Sequence, residues 1–550
     1  MNPRALPRFL AATTTALLIA VLGTPIPAVA APGPVIEPVR ECGDELEQRF
    51  DLPGATTHVT SAEEVQANDQ SEPAYCDVHG YVEPAVTFQL RLPLQTFTGR
   101  YVQHGCGGFC GRISKLPFPD CGGDLGGDVA IGATNDGHVS QGLEEQWAAN
   151  NQAARNDYFY RAPHVLSVAA KRIITEFYGT PPKRSYFSSC SNGGREGLLL
   201  AQRYPHDFDG IIAGAPAHAM GPLFGVYAPW LARTNTAANG EPIITSDKLP
   251  ALHKAVVAAC DRRDGLADGQ IDDPRDCRFD PVQVQCPAGT DQPHCLTPRQ
   301  VAVARALYAG PKDPNGRRLY PGWQTHGSEL GWDGIITPSA GLGGNSFAAW
   351  LGDNYLKYVG FPIGTPHSSL AEASFTAAEF HRLTAEGVKG NAMSLDLGAF
   401  RRAGGKLILW HGWADPQLPA TATVDYYQRL SERNGGLRET QRWARLFMVP
   451  TMSHCGGGYR LSEFDPLREL VAWVERGAAP DRVIAVGRDA QGAVSRSRPV
   501  FPHPLVATYD GTGSIDHAAN FVPTPPRRPS SDTIRWIGSH LHELPGPVAP

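Results

Sequence analysis

Two dipeptides far apart in the chain, Cys190-Ser191 and His454-Cys455, each set a cysteine beside a residue that can serve as nucleophile or base in acyl transfer. If these cysteines are bonded to each other, any fold of this chain must bring the two loops side by side. Asp415 lies between them in His411-Gly412-Trp413-Ala414-Asp415-Pro416. The chain order is therefore Ser, Asp, His, the order found where a triad sits on an α/β-hydrolase sheet.

The segments around these residues alternate between strand-like and helical runs. Apolar stretches at 86–92, 101–103, 129–134 and 185–189 read as strands, with helical periodicity over 165–177. Asp207-Phe208-Asp209 leads into a short buried run at 210–214, and the rhythm resumes with strand-like 406–410, helical 421–430 and strand-like 446–449. Strands alternating with helices imply a parallel sheet covered on both faces, so both flanks are assigned to one α/β-hydrolase sheet. From about 223 to 393 the texture changes to Gly, Pro, Asp and aromatic residues with few periodic runs. A region of that size reads as an inserted lid domain rather than a linker. With 550 residues the chain exceeds one simple core. The expected organisation is a signal peptide over 1–30, a first core segment over 31–222, the lid over 223–393 and a second core segment over 394–550.

Arg4 and Arg8 precede an apolar stretch from Phe9 to Leu22, then Ala28-Val29-Ala30 ahead of Ala31. This is the layout of a secretory signal with an A-x-A cleavage site, too short for a stable membrane span. The mature chain is expected to be secreted, with no membrane association after cleavage. Eleven cysteines fit that export, since an oxidising compartment favours disulfides. Cys260 with Cys277 and Cys286 with Cys295 read as short closed loops, and Cys42 with Cys76 would tie down the N-terminal segment. Cys106, Cys110 and Cys121 are left over, and the connectivity stays open. The formal charge of -6, without runs of like charge, offers nucleic acid no basic face.

Residues 185–202 run from a β-rich segment through small residues into a helix-compatible stretch. A nucleophile elbow needs this shape, with the serine on a tight strand-to-helix turn and small neighbours around it. Ser191 sits in Ser189-x-Ser191-x-Gly193, serine standing where glycine is commoner. His454 follows the strand end at 446–449 on a loop with Gly456-Gly457-Gly458, where a base can swing toward Ser191. Asp415 follows another strand end, where a carboxylate can orient the imidazole. His411 is a rival base, and Asp136 and His138 form a further polar cluster read as supporting groups. The oxyanion donors are expected to be the N–H of Asn192 and an N–H from Gly105-Cys106-Gly107-Gly108, with Gly107 and Gly108 the candidates.

These residues resemble the tannase and feruloyl esterase family. The likeness is carried by Gly105-Cys106-Gly107-Gly108-Phe109-Cys110-Gly111, Cys190-Ser191 through Gly194-Arg195, Ala201-Gln202-Arg203-Tyr204-Pro205, Asp207-Phe208-Asp209-Gly210, His411 to Pro416, His454 to Gly458 and 473–481. It implies Ser191 as nucleophile, His454 as base, Asp415 as its orienter and a Cys190–Cys455 disulfide. It also implies a structural Ca2+ in the lid, on the run from Cys260 to Ile271. Crowded carboxylates on a glycine-turned loop suit a hard dication. By the likeness, the ligands are the side chains of Asp261, Asp264 and Asp268 and the carbonyls of Leu266 and Gln270. The chain departs from the family at Phe501 and Val522, near the places where a C-terminal disulfide is common.

The resulting expectation is a secreted serine carboxylic ester hydrolase acting on aromatic-acid esters, hydroxybenzoic or hydroxycinnamic, through an acyl-enzyme. Terephthalate monoesters and acyl transfer to an alcohol are alternatives on the same site, and an inactive calcium-stabilised binding protein is an alternative of another class. Lid aromatics Trp332, Phe347, Trp350 and Tyr355 are candidates to stack on the substrate ring.

Overall fold

The computed structural model describes residues 33–68, 72–113, 116–119, 127–140, 145–527 and 532–543. The expected signal segment and Cys121 lie outside the described residues.

A ten-stranded sheet organises the chain: β1 (Arg49–Phe50), β2 (Thr57–Val65), β3 (Tyr75–Val82), β4 (Val86–Pro93), β5 (Arg100–His104), β6 (Val129–Thr134), β7 (Arg184–Cys190), β8 (Gly210–Gly214), β9 (Lys406–Gly412) and β10 (Ala444–Val449). Their order across the sheet is β1-β2-β3-β4-β6-β5-β7-β8-β9-β10. Pairing is antiparallel from β1 to β6 and parallel from β6 through β10. The parallel half is buried on both sides, which explains its unbroken apolar strands.

Successive side chains feed opposite cores because a strand alternates faces. Phe187, Ile211, Leu407, Leu409 and Leu446 join one core beneath the helices Ala162–Tyr178, Asn192–Arg203 and Ala420–Arg433. Tyr186, Ile212, Ile408, Trp410 and Phe447 join the other, against Leu467, Leu470 and Trp473 of the helix Leu467–Arg476.

After β8 the chain leaves the sheet and does not return until β9. The segment read as a lid falls within this excursion, which includes the helices Leu249–Cys260, Pro298–Ala309, Phe347–Asn354 and Ala377–Gly387. Its core contains Trp332 and Tyr355 together with Phe109, Tyr158 and Leu418 from outside the insertion. Trp332 and Tyr355 are both 0% exposed, and the Trp332 indole N–H donates to Ser328 Oγ at 3.0 Å. They pack inside the insertion and have no exposed surface to offer a substrate ring; Phe347 and Trp350 are only partly buried.

Disulfides join Cys42 to Cys76, Cys106 to Cys110, Cys190 to Cys455, Cys260 to Cys277 and Cys286 to Cys295. No helix among the described residues is long and apolar enough to cross a membrane. In the C-terminal segment the Arg498 guanidinium sits 3.6 Å over the Phe521 ring, and Arg496 and Arg498 pair with Asp268 Oδ2 at 2.9 and 2.8 Å.

Candidate active site

Ser191 occupies the one-residue turn between β7 and the helix Asn192–Arg203, with φ 66° and ψ -123°. A non-glycine residue at positive φ is strained and persists where its surroundings force it. Here its N–H donates to the Gly214 carbonyl at the end of β8, 2.9 Å away, and its own carbonyl accepts from Arg195 and Ala217. The glycines that follow are required by space. A Cβ on Gly193 would stand 1.9 Å from Ser189 Oγ, and one on Gly194 would stand 2.2 Å from the Gly214 oxygen.

The loop after β10 brings His454 to this turn, and the Cys190–Cys455 bond ties the two together across 265 residues of sequence. His454 Nε2 lies 2.9 Å from Ser191 Oγ, and His454 Nδ1 lies 2.6 Å from Asp415 Oδ2. Asp415 follows β9 and is fully buried. Its Oδ1 accepts the backbone N–H groups of Gln417 and Leu418 at 2.8 and 2.9 Å. Burial alone would raise its pKa, but His454 and His411 outweigh that and hold the carboxyl well below the usual range.

His411 points away from the nucleophile. Its Nε2 lies 3.1 Å from both Asp415 Oδ2 and the Leu418 carbonyl, and its Nδ1 lies 2.8 Å from Thr423 Oγ1. It is a second partner of Asp415 rather than a rival base.

The loop from Gly105 to Gly111 follows β5 and turns through positive φ at Gly108 (60°), Cys110 (64°) and Gly111 (85°). Its carbonyls are taken from behind. That of Gly107 accepts from the Cys110 N–H at 3.0 Å, that of Gly108 from the Tyr158 hydroxyl at 3.1 Å, and that of Phe109 lies 2.8 Å from His138 Nε2. No acceptor among the described residues takes the N–H of Gly107, Gly108 or Asn192. Peptides anchored through their oxygens leave their N–H groups free to donate, as an oxyanion hole requires.

Below this loop lies a cluster in which sequence reasoning had singled out Asn192 and Asp136 but missed Glu196 and the part played by Arg195. Asn192 Nδ2 donates to Glu196 Oε1 at 2.7 Å, and Asn192 Oδ1 accepts from Arg195 Nε at 2.7 Å. Arg195 is fully buried and donates to the carbonyls of Tyr158, Phe159 and Gly390. The Asp136 carboxyl meets Glu196, and burial raises both, Glu196 to about 7. The available signal was Asn192-x-x-Arg195-Glu196, polar residues one helical turn apart ahead of the apolar run Leu198-Leu199-Leu200. Among the described residues, only Cys106, Cys110, Asp136 and Glu196 gather three or more metal-capable side chains within 4.8 Å of one another. The disulfide between its two cysteines removes the thiolates a metal would need.

The expected calcium loop is more open. Asp261 Oδ1 accepts the N–H groups of Asp268, Gly269 and Gln270, Asp264 Oδ1 accepts that of Leu266, and Asp268 Oδ1 accepts that of Gln270. Asp264 is pushed up to about 8 by burial first and then by Asp272, a neighbouring carboxylate that was not among the expected ligands.

A family model described as tannase and feruloyl esterase matches residues 73–523. Mono(2-hydroxyethyl) terephthalate hydrolase of Piscinibacter sakaiensis is 33% identical over 524 residues, covering 82% of this chain and 85% of its own. A probable feruloyl esterase of Arthroderma benhamiae is 30% identical over 470 residues, covering 80% and 83%. The crystal structure of an esterase from Aspergillus oryzae matches with a TM-score of 0.75 at 25% identity, covering 86% of this chain and 98% of that one.

Proposed function

The chain belongs to the tannase and feruloyl esterase family and is a carboxylic ester hydrolase, and from that premise we propose that it cleaves esters of aromatic acids through an acyl-enzyme on Ser191. The observation that carries the mechanism is the unbroken line from Ser191 Oγ through His454 to Asp415, at 2.9 and 2.6 Å. His454 Nε2 takes the hydroxyl proton as Oγ attacks the carbonyl carbon, and Asp415 stabilises the imidazolium that forms. The N–H groups of Asn192 and of Gly107 or Gly108 receive the oxyanion. Collapse of the intermediate breaks the ester bond, and the proton on Nε2 passes to the leaving alcohol. Water then repeats the sequence on the acyl-serine, releasing the acid and restoring the hydroxyl.

The aromatic acyl class is supported by the relatives, one named for a terephthalate monoester and another for feruloyl esters. The test is a panel of methyl gallate, methyl ferulate, mono(2-hydroxyethyl) terephthalate and methyl butyrate. At least one aromatic ester should exceed methyl butyrate in kcat/KM by about 100-fold, the order of discrimination an apolar pocket supplies. Equal rates across the panel would remove the aromatic assignment. Export is part of the same reading, supported by the five disulfides among the described residues and the sequence of the N-terminal segment.

The loop from Asp261 to Gln270 has the oxygen donors for Ca2+ in its lid position: the carboxylates of Asp261, Asp264 and Asp268 and the carbonyls of Leu266 and Gln270. Positive φ at Gly265 and Gly269 curls it, and Cys260–Cys277 closes it. Donors of this kind suit a hard cation, which on binding would supply charge to the loop, with Asp268 Oδ2 released from its pairs with Arg496 and Arg498, and would take no part in acyl transfer. An ion bound only by the folded state stabilises by about 2.7 kcal/mol when its free concentration is about 100 times Kd. Chelation should therefore lower Tm and added Ca2+ restore it; a melting curve indifferent to both removes the ion.

A further inference from the structure

The buried acids Asp136 and Glu196 lie beneath both halves of the oxyanion hole and have no part in proton transfer to the substrate. Glu196 stands on the nucleophile's own helix, one turn beyond Asn192, whose side-chain amide it holds at 2.7 Å. The same carboxyl lies against the backbone N–H of Cys106 and 3.0 Å from the Cys106 sulfur. Loop and helix are packed so closely here that a Cβ on Gly105 would fall 2.4 Å from Glu196 Oε2 and 2.9 Å from Gly193 Cα. Asp136 closes the arrangement from the β6 side. It sits at φ 61°, a strained conformation for a non-glycine residue, with Oδ2 at 3.4 Å from the Cys110 sulfur. Asp136 Oδ1 and Glu196 Oε2 are both buried, with no conventional hydrogen-bond partner.

We propose that Asp136 and Glu196 are the positioning pair of the oxyanion hole, one shared proton between them keeping the Cys106–Gly108 peptides and Asn192 in register with Ser191. This rests on Asn192 and the Gly105–Gly108 loop supplying the oxyanion donors. Two carboxylates cannot both ionise in one buried site without strong mutual repulsion. Loss of the shared proton to bulk base leaves two facing anions, which drives the loop away from the helix and spreads the donors. Burial acts in the same direction by holding both acids above the ordinary range. The other charged and titratable groups facing the pair are Arg195 on the nucleophile helix, Asp157 with its partner Arg161 at 2.7 Å, Tyr158, and His138 on the Asp136 turn. Arg195 balances one negative charge and not two.

The test compares Glu196→Ala, Glu196→Gln and Asp136→Asn with the wild type over the pH range, using the family ester that it turns over best. Glu196→Ala should lower kcat by about 10- to 100-fold, the cost of misplacing catalytic groups by about 1 Å, with KM little changed. Glu196→Gln keeps the shape, accepts from Asn192 and donates to Asp136, so it should recover kcat at neutral pH. Having no proton to lose, it should also shift the alkaline fall of kcat to higher pH, and Asp136→Asn should do likewise. An unchanged kcat in Glu196→Ala, or an alkaline fall at the wild-type position in Glu196→Gln and Asp136→Asn, overturns the proposal. If Glu196→Ala does not fold, the two amide variants decide by their pH profiles alone. Ser191→Ala run in parallel keeps the readings separate: loss of turnover there beside indifferent Glu196 and Asp136 variants leaves the triad standing and removes only the positioning pair.

Discussion

Turnover by a Ser191→Ala variant is expected to fall by about a million-fold, the loss seen when a triad nucleophile is removed, with an unchanged melting temperature. The fold should not register the change. Ser191 contributes to stability through its backbone, by its N–H to Gly214 and its carbonyl to Arg195 and Ala217, and alanine keeps all three bonds. It also meets the positive-φ elbow on the same terms as serine, since the strain there arises at Cβ. Only the oxygen 2.9 Å from His454 Nε2 is lost. A stopped assay on a chromogenic aryl ester with a thermal melt reads both quantities. Retention of turnover within about tenfold of wild type would mean that another group attacks the ester, because residual catalysis from the oxyanion hole and binding alone is about 1,000- to 10,000-fold above water and no more.

An Asp415→Asn variant should lose about 10,000-fold in kcat, the penalty for leaving a triad histidine in the wrong tautomer. Each carboxylate oxygen faces only donors: Oδ1 takes the Gln417 and Leu418 N–H groups, and Oδ2 faces His454 Nδ1 and His411 Nε2. An amide must set its NH2 against one of these pairs. If it faces the peptides, two backbone bonds are lost; if it faces the imidazoles, it donates to His454 Nδ1 and puts the proton on Nε2, where the base should be vacant. Because the flanking histidines hold the Asp415 carboxyl well below its ordinary range, it is ionised at every pH where the wild type works. The variant should therefore be slow across the whole profile, and near-wild-type turnover at neutral pH would show that His454 keeps its working tautomer without Asp415.

The parallel half of the sheet was legible because its strands are buried on both faces and read as short apolar runs between turns. The strands read at 129–134 and 210–214 match β6 and β8 in full, and those at 185–189, 406–410 and 446–449 fall inside β7, β9 and β10. The antiparallel edge was not. β2 runs Thr-His-Val-Thr-Ser-Ala-Glu-Glu-Val, with polar residues on its open face, and its only strong pattern is a two-residue alternation broken by a register shift at Val59/Ser61. In the site, Ser191, Asp415 and His454 stood out because each has its own chemistry and a recognisable turn. His411, Asp136 and Glu196 act through neighbours. Whether His411 is base or buttress depends on which way one ring points, and Glu196 becomes significant only when β6 and the Gly105–Gly111 loop are folded over it. Trp332 and Tyr355 show the reverse error, large rings that composition offers to a ligand and that packing has already used.

The Cys190–Cys455 bond makes oxidation part of the assembly of the catalyst. A freshly translated chain, its thiols still reduced, carries nucleophile and base on two turns held near each other by packing alone. Closing that link locks the pair in register, so the catalyst is complete only where the two thiols can oxidise.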